Sequence, residues 1–178
     1  MVVIYPLLCG AILNRVAPIF IGVKIMKSIS ETALSYLGSR QGGTKHIEIL
    51  KIYNSNKPLP RGYAVKPTDN WCATFVSACA IKCHIGKSIY ECGANKMLEK
   101  FKKHGWLVSP DKVAKNDIIF YDWQVTGNWY DHVGIIYKVT KKYVYVVEGN
   151  KSHKVGTRCI IKASLNNTKK YRIARIGE

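Results

Sequence analysis

The 178-residue chain predicts an α+β fold. Helical periodicity is confined to the part before Trp106, strand-like alternation to the part after it, and short polar turns join the strands as antiparallel neighbours. A content of 47% hydrophobic and 22% charged residues supports a globular core. It excludes a disordered polyelectrolyte, a collagen-like repeat and a polytopic membrane protein. Residues 26–178 read as one domain, with N-terminal helices packed on an antiparallel sheet. Residues 1–25 are expected to lie outside it, as a weak anchor or as sequence upstream of a start at Met26. Their apolar runs are broken by Asn14-Arg15 and by Pro18, and they lack the basic start and small-residue cleavage site of a signal peptide.

The elements follow in order. Ser28 or Ser30 can cap a first helix that has Glu31 in its opening turn and ends at Leu37-Gly38. Thr44 to Tyr53 forms a second helix, and Asn54 to Asp69, with Pro58, Pro60, Pro67 and Gly62, is a loop. Asn70 is the expected cap of a buried helix over Trp71 to Ile81, where every residue is small or apolar. Asn95 to His104 is amphipathic, with Met97, Leu98 and Phe101 on one face and Gly105 as its stop. Strands are expected at Asp117 to Tyr121, His132 to Val139, Tyr143 to Glu148, Thr157 to Ile161 and Tyr171 to Ile176. The second and third of these form a hairpin across Thr140-Lys141-Lys142.

Charge is the strongest compositional signal. Lys and Arg total 28 against 11 Asp and Glu, a formal net charge of +17. Eleven of the cations fall between residues 136 and 178, opposed only by Glu148 and Glu178. Such an excess calls for a polyanionic partner: nucleic acid, anionic lipid or the anionic polymers of a bacterial wall. Trp and Tyr are present, but no helix-turn-helix, RNP motif or zinc finger accompanies them, so no specific nucleic acid is expected. A catalytically silent cationic module that holds wall or nucleic acid is the alternative from a different class.

The chemistry centres on Cys72. In the first turn of its helix, free N–H groups and the macrodipole favour a thiolate, a strong nucleophile whose natural partner is an imidazole. His132 is the best placed of five His, opening a strand in Asp131-His132-Val133-Gly134. Glu148 and Asn150 are two residues apart and share a face of the next strand, where either can hold the His132 ring in the needed tautomer. For that, paired residue numbers in the hairpin must sum to an even value at the site. A three-residue loop closing Val139 on Tyr143 gives 282; an even loop needs a compensating bulge. Cys79 and Cys83 recur near the azimuth of Cys72 and read as buried filler. With His84 and Cys92 they match no standard zinc spacing, so no metal is expected. Asp69, three residues before the thiol, opposes a thiolate unless it points away.

The order Cys, His, then acid or amide, on a helix followed by antiparallel strands, is papain-like. The segments Trp71-Cys72-Ala73-Thr74-Phe75-Val76-Ser77, Asn116 to Trp123, Asp131-His132-Val133-Gly134-Ile135 and Val147-Glu148-Gly149-Asn150 together resemble CHAP domains. These are the cysteine, histidine-dependent amidohydrolase/peptidases of phage endolysins and bacterial wall enzymes. Ile52-Tyr53-Asn54-Ser55 to Arg61-Gly62-Tyr63 resembles prophage-type members. The resemblance covers roughly residue 28 to the end and implies Cys72 as nucleophile, His132 as general base, and Glu148 with Asn150 as the orienting pair. It further implies hydrolysis of a peptidoglycan amide at the cell wall by a secreted or phage-released monomer. The bond is either muramoyl-L-Ala or one within the peptide and its cross-bridge. A papain-like transpeptidase is a further alternative. Some relatives bind calcium near the nucleophile; here Asp69 is the only carboxylate in that loop, and no cofactor is expected. Membrane contact is expected only through residues 1–25.

Overall fold

The computed structural model describes residues 27–177. The apolar segment 1–25 lies outside the described residues. No helix among them is long and apolar enough to cross a membrane.

Helix α1 spans Ile29–Leu34 and begins with a capping box, in which Ser28 Oγ accepts from the Glu31 N–H while Glu31 Oε2 accepts from the Ser28 N–H. It stops short of the expected Leu37. The Ser35 hydroxyl donates back to the Thr32 carbonyl at 2.6 Å, and the chain then turns through Gly38 at φ +82°. Helix α2 is Thr44–Ser55, α3 Cys72–Lys82 and α4 Ala94–Lys103. The expected cap of α3 is corrected. Asn70 does not cap it; the N-cap is Trp71, without a side-chain hydrogen bond. The Asn70 amide oxygen is occupied by Asn150, and the start of α3 is fixed by burial of the Trp71 indole against His46 and Phe75, at centroid distances of 4.6 and 6.3 Å.

Six strands form one antiparallel sheet in the order β1-β6-β2-β3-β4-β5. They are β1 Leu107–Val108, β2 Ile118–Tyr121, β3 His132–Val139, β4 Tyr143–Glu148, β5 Gly156–Ile161 and β6 Tyr171–Ala174. The sequence misses β1, an edge strand of two residues, too short to carry a period. The helices cover one face of the sheet, where Trp71, Phe75, Phe101 and Met97 pack with Phe120, Val133, Ile135 and Val147. On the other face Ile119, Tyr121, Ile136, Val146 and Ile160 form a second core around Leu165. Burial on both faces explains why β2 is apolar throughout rather than alternating.

The β3–β4 register decides the site. Near the turn Val139 pairs with Val144 and Lys138 with Tyr145, so the loop is even and the expected closure of Val139 on Tyr143 is corrected. The Thr140 N–H donates to the Tyr143 carbonyl and the Tyr143 N–H to Thr140 Oγ1, which draws Tyr143 into the turn. A bulge at Tyr137 then restores the even register, with Ile136 opposite Val146 and Ile135 opposite Val147. Two glycines let backbones approach here. A Cβ at Gly134 would stand 2.8 Å from Glu148 Cγ and 2.6 Å from Val146 Cγ1, and one at Gly149 would collide with the Phe75 side chain of α3.

Candidate active site

Cys72 is the first residue of α3 and is 6% exposed, whereas Cys79 further along the same helix is fully buried; Cys83, at the C-cap, matches Cys72 at 6%. Helix α3 packs against β3, and this places the Cys72 thiol near enough to the imidazole of His132, the first residue of that strand, to favour the charged ring. The other side of the ring is held by Glu148, whose Oε2 lies 3.2 Å from His132 Nε2. Since Nε2 faces the carboxylate, the geometry leaves Nδ1 for the thiol, the two-sided arrangement a Cys–His relay needs.

Glu148 is completely buried, and every one of its partners is polar. The Tyr121 hydroxyl donates to Oε1 at 2.8 Å, Arg158 Nε donates to the same oxygen at 2.6 Å, and Arg158 Nη2 donates to Oε2 at 3.0 Å. With Glu148 on β4, its partners Tyr121, His132 and Arg158 span four adjacent strands of the sheet, β2 to β5. Tyr121 on β2 pairs with His132 on β3, and on the far side Glu148 pairs with Gly156, one diagonal step from Arg158 on β5. Burial raises the cost of charge on Glu148, but its bonds to His132 and Arg158 outweigh this and hold its pKa down at about 2. Burial likewise works against a charged His132; hydrogen bonds and charge from Cys72 and Glu148 reverse the balance and lift it to about 9. The imidazolium is therefore the favoured form at neutral pH.

Of the four residues expected from sequence, three converge: Cys72, His132 and Glu148. Asn150 does not join them as an orienter of His132. It sits in left-handed backbone at φ +55° just past the end of β4, and its Nδ2 donates to Asn70 Oδ1 at 3.1 Å. The departure from extended backbone after Glu148 breaks the alternation that placed Asn150 beside the ring. Asp69 stays within its own loop, accepting from the Tyr63 hydroxyl and the Lys66 N–H. Tyr121 and Arg158 were missed by sequence reasoning. Arg158 is the lone charge inside an otherwise apolar and small β5, which is the available signal. The irregular connection from Gly149 to Val155 hides the pairing that puts it on the Glu148 face.

The thiol opens onto a cleft of about 380 Å³ whose walls include Asn70, Asn95, Arg61, Lys96, Trp129 and Asp131. Trp129 is 58% exposed at its rim, and Trp123, also exposed, stacks on Tyr121 beside the His132 ring. A second thiol, Cys92, lines the same cleft, but burial raises its pKa, and it is held by Arg61 at 3.1 Å. Among the described residues no three His, Cys, Asp or Glu side chains converge as a metal ion would require.

No curated protein matches the chain. Among solved structures, one titled "The crystal structure of Ly7917" is 17% identical over 61% of this chain and 54% of that one, with a TM-score of 0.42. An N-acetylmuramoyl-L-alanine amidase from Staphylococcus aureus is 16% identical over 67% of this chain, with a TM-score of 0.46. The chain spans about half and about a third of the lengths of these two structures. The family model of the CHAP domain matches residues 62–150, half of the chain, a stretch that contains Cys72, His132 and Glu148. With its α+β, papain-like architecture, the chain belongs to the CHAP domain family.

Proposed function

We propose that this CHAP domain is a peptidoglycan hydrolase that cleaves an amide bond through an acyl-thioester on Cys72. Family membership supports the wall substrate, and one observation carries the mechanism: the convergence of Cys72, at the wall of an open cleft, with His132 and the buried Glu148 that holds its ring. With the proton already held on His132, the thiolate sulfur attacks the scissile carbonyl carbon, and the C–N bond breaks as the imidazolium protonates the leaving amine. Water, deprotonated by the same ring, then attacks the thioester and releases the acid and the free thiol. Glu148 keeps the ring in register and stabilises its charged form.

The tetrahedral intermediate needs donors for its oxygen. The Cys72 backbone N–H opens α3 and faces this end of the helix. The Asn70 side chain lines the same cleft, and with its oxygen accepting from Asn150 its NH₂ group is left as a donor. In this reading Asn150 serves the oxyanion rather than the imidazole.

The experiment is digestion of purified cell walls, with mass spectrometry of the released muropeptides. New amino termini on the stem peptide identify a muramoyl-L-Ala amidase, and new termini within the peptide or cross-bridge identify an endopeptidase. Transfer to an added amine instead of water marks a transpeptidase. A wild-type protein that binds walls and releases nothing contradicts the hydrolase reading.

A further inference from the structure

We propose that Arg158 is a positioning residue: its forked ion pair aims the Glu148 carboxylate at His132 and thereby sets the low-pH limit of the reaction. The proposal rests on His132 and Glu148 acting as described above. It concerns a residue on β5, beyond residue 150, where the match to the family ends.

A carboxylate offers about four lone-pair sites, and all four are used here. Oε1 takes the Tyr121 hydroxyl and Arg158 Nε; Oε2 takes Arg158 Nη2 and His132 Nε2. The bidentate fork fixes both the plane of the carboxylate and its rotation, so only one direction remains for the oxygen that meets the ring. Arg158 is itself held. Its guanidinium lies 5.4 Å from the centroid of Tyr121 and 5.0 Å from that of Trp123, two rings stacked on one another at 14°. An exposed tryptophan, a buried tyrosine and an arginine thus form one support behind the carboxylate.

The electrostatic consequence follows from the full set of groups around Glu148. These are His132 on β3, Tyr121 on β2 with Tyr171 on β6 behind it, Arg158 on β5, and Cys72 on α3 across the ring. Arg158 is the one permanent cation among them. Without it, a carboxylate that is fully buried keeps only a phenol and a titrating ring as partners, and desolvation favours its neutral form. A neutral Glu148 still touches His132 but no longer stabilises the imidazolium. Its pKa is low in the folded protein, so the site is intact above the range of an ordinary carboxylate and fails only in strong acid. Loss of Arg158 should bring that failure up towards neutrality.

The test compares Arg158→Gln and Arg158→Lys with wild type in two assays: wall hydrolysis against pH, and the rate of Cys72 alkylation by iodoacetamide against pH. Alkylation needs no substrate, so it reports on the pair even if the wall reading is wrong. For Arg158→Gln we expect kcat to fall about 10²-fold with KM little changed, as for a misplaced catalytic group. The acid limb of both profiles should move up by about 1–3 pH units. Arg158→Lys keeps the charge but not the fork, so it should slow turnover while leaving the acid limb in place. The double variant Glu148→Gln/Arg158→Gln leaves no unpaired buried carboxylate and guards against simple unfolding. It should be no slower than Glu148→Gln alone. A folded Arg158→Gln with wild-type rate and acid limb overturns the proposal, as does additivity of the two single effects in the double variant.

Discussion

At the scale of single residues, the site is a set of charges arranged so that each stabilises the next. Arg158 balances Glu148, Glu148 balances the imidazolium, and the imidazolium faces the thiol. The sign of the pH dependence follows. His132 is raised to about 9, so its protonated form is complete below the ordinary histidine range and is lost as pH rises through about 9. In the proposed reaction that form is the acid which protonates the leaving amine. The basic limb of kcat against pH is therefore expected near 9, above that of an unperturbed imidazole. A limb near 6.5 would show that the ring lacks these partners. The core thiols need no such role. Cys79 is fully buried and its pKa is pushed well up by desolvation, which suits a filler rather than a nucleophile.

At the scale of elements, function rests on a register. His132 and Glu148 share a face only because the bulge at Tyr137 undoes the even loop of the β3–β4 hairpin. Gly134 belongs to the same device: it lies across from Glu148, and the space its side chain would fill is taken by Glu148 Cγ. Gly134→Ala is expected to push Glu148 off the ring. It should reduce turnover far more than binding and cost about 1–3 kcal/mol of stability from overpacking. Thermal unfolding and wall-hydrolysis kinetics check both, and an alanine variant with normal turnover would show that Glu148 has room to spare. Much of this level was legible in the sequence. The helices α2 and α4 and the strands β3 and β4 announce themselves by period. The parity requirement, with its provision for a bulge, follows from the positions of His132 and Glu148 alone. The rest was hidden for physical reasons. Nothing in Asn150 itself reveals that the chain leaves the strand at left-handed φ and carries its amide to Asn70. Arg158 could not be placed on the Glu148 face because seven irregular residues separate the two strands. Asn70 has the right side chain for a cap, yet the burial of Trp71 fixed the helix start one residue later.

At the scale of the whole molecule, the chain carries a formal net charge of +17, while two of the cations that line the small cleft, Arg61 and Lys96, are paired. Far from the thiol, Lys141, Lys142 and Lys162 line an open groove of about 790 Å³ with Ile161. Surface cations of this kind act over roughly a Debye length, about 10 Å at 0.1 M salt and about 3 Å at 1 M. Association with intact anionic walls is therefore expected to weaken steeply over that range, while turnover of a short uncharged muropeptide changes little. Co-sedimentation with walls, run beside a soluble-substrate assay, separates the two. Equal salt sensitivity in both would place the electrostatic effect in the cleft instead. The claim on which all three scales depend is that one thiol performs the chemistry, and its most direct test is stoichiometric. Iodoacetamide is titrated against the protein, each cysteine is mapped by mass spectrometry, and muropeptide release is measured on the same samples. Release should fall in proportion to the fraction of Cys72 alkylated, and labelling of the exposed Cys159 should leave it unchanged. Full release by protein whose Cys72 is quantitatively alkylated would contradict the assignment.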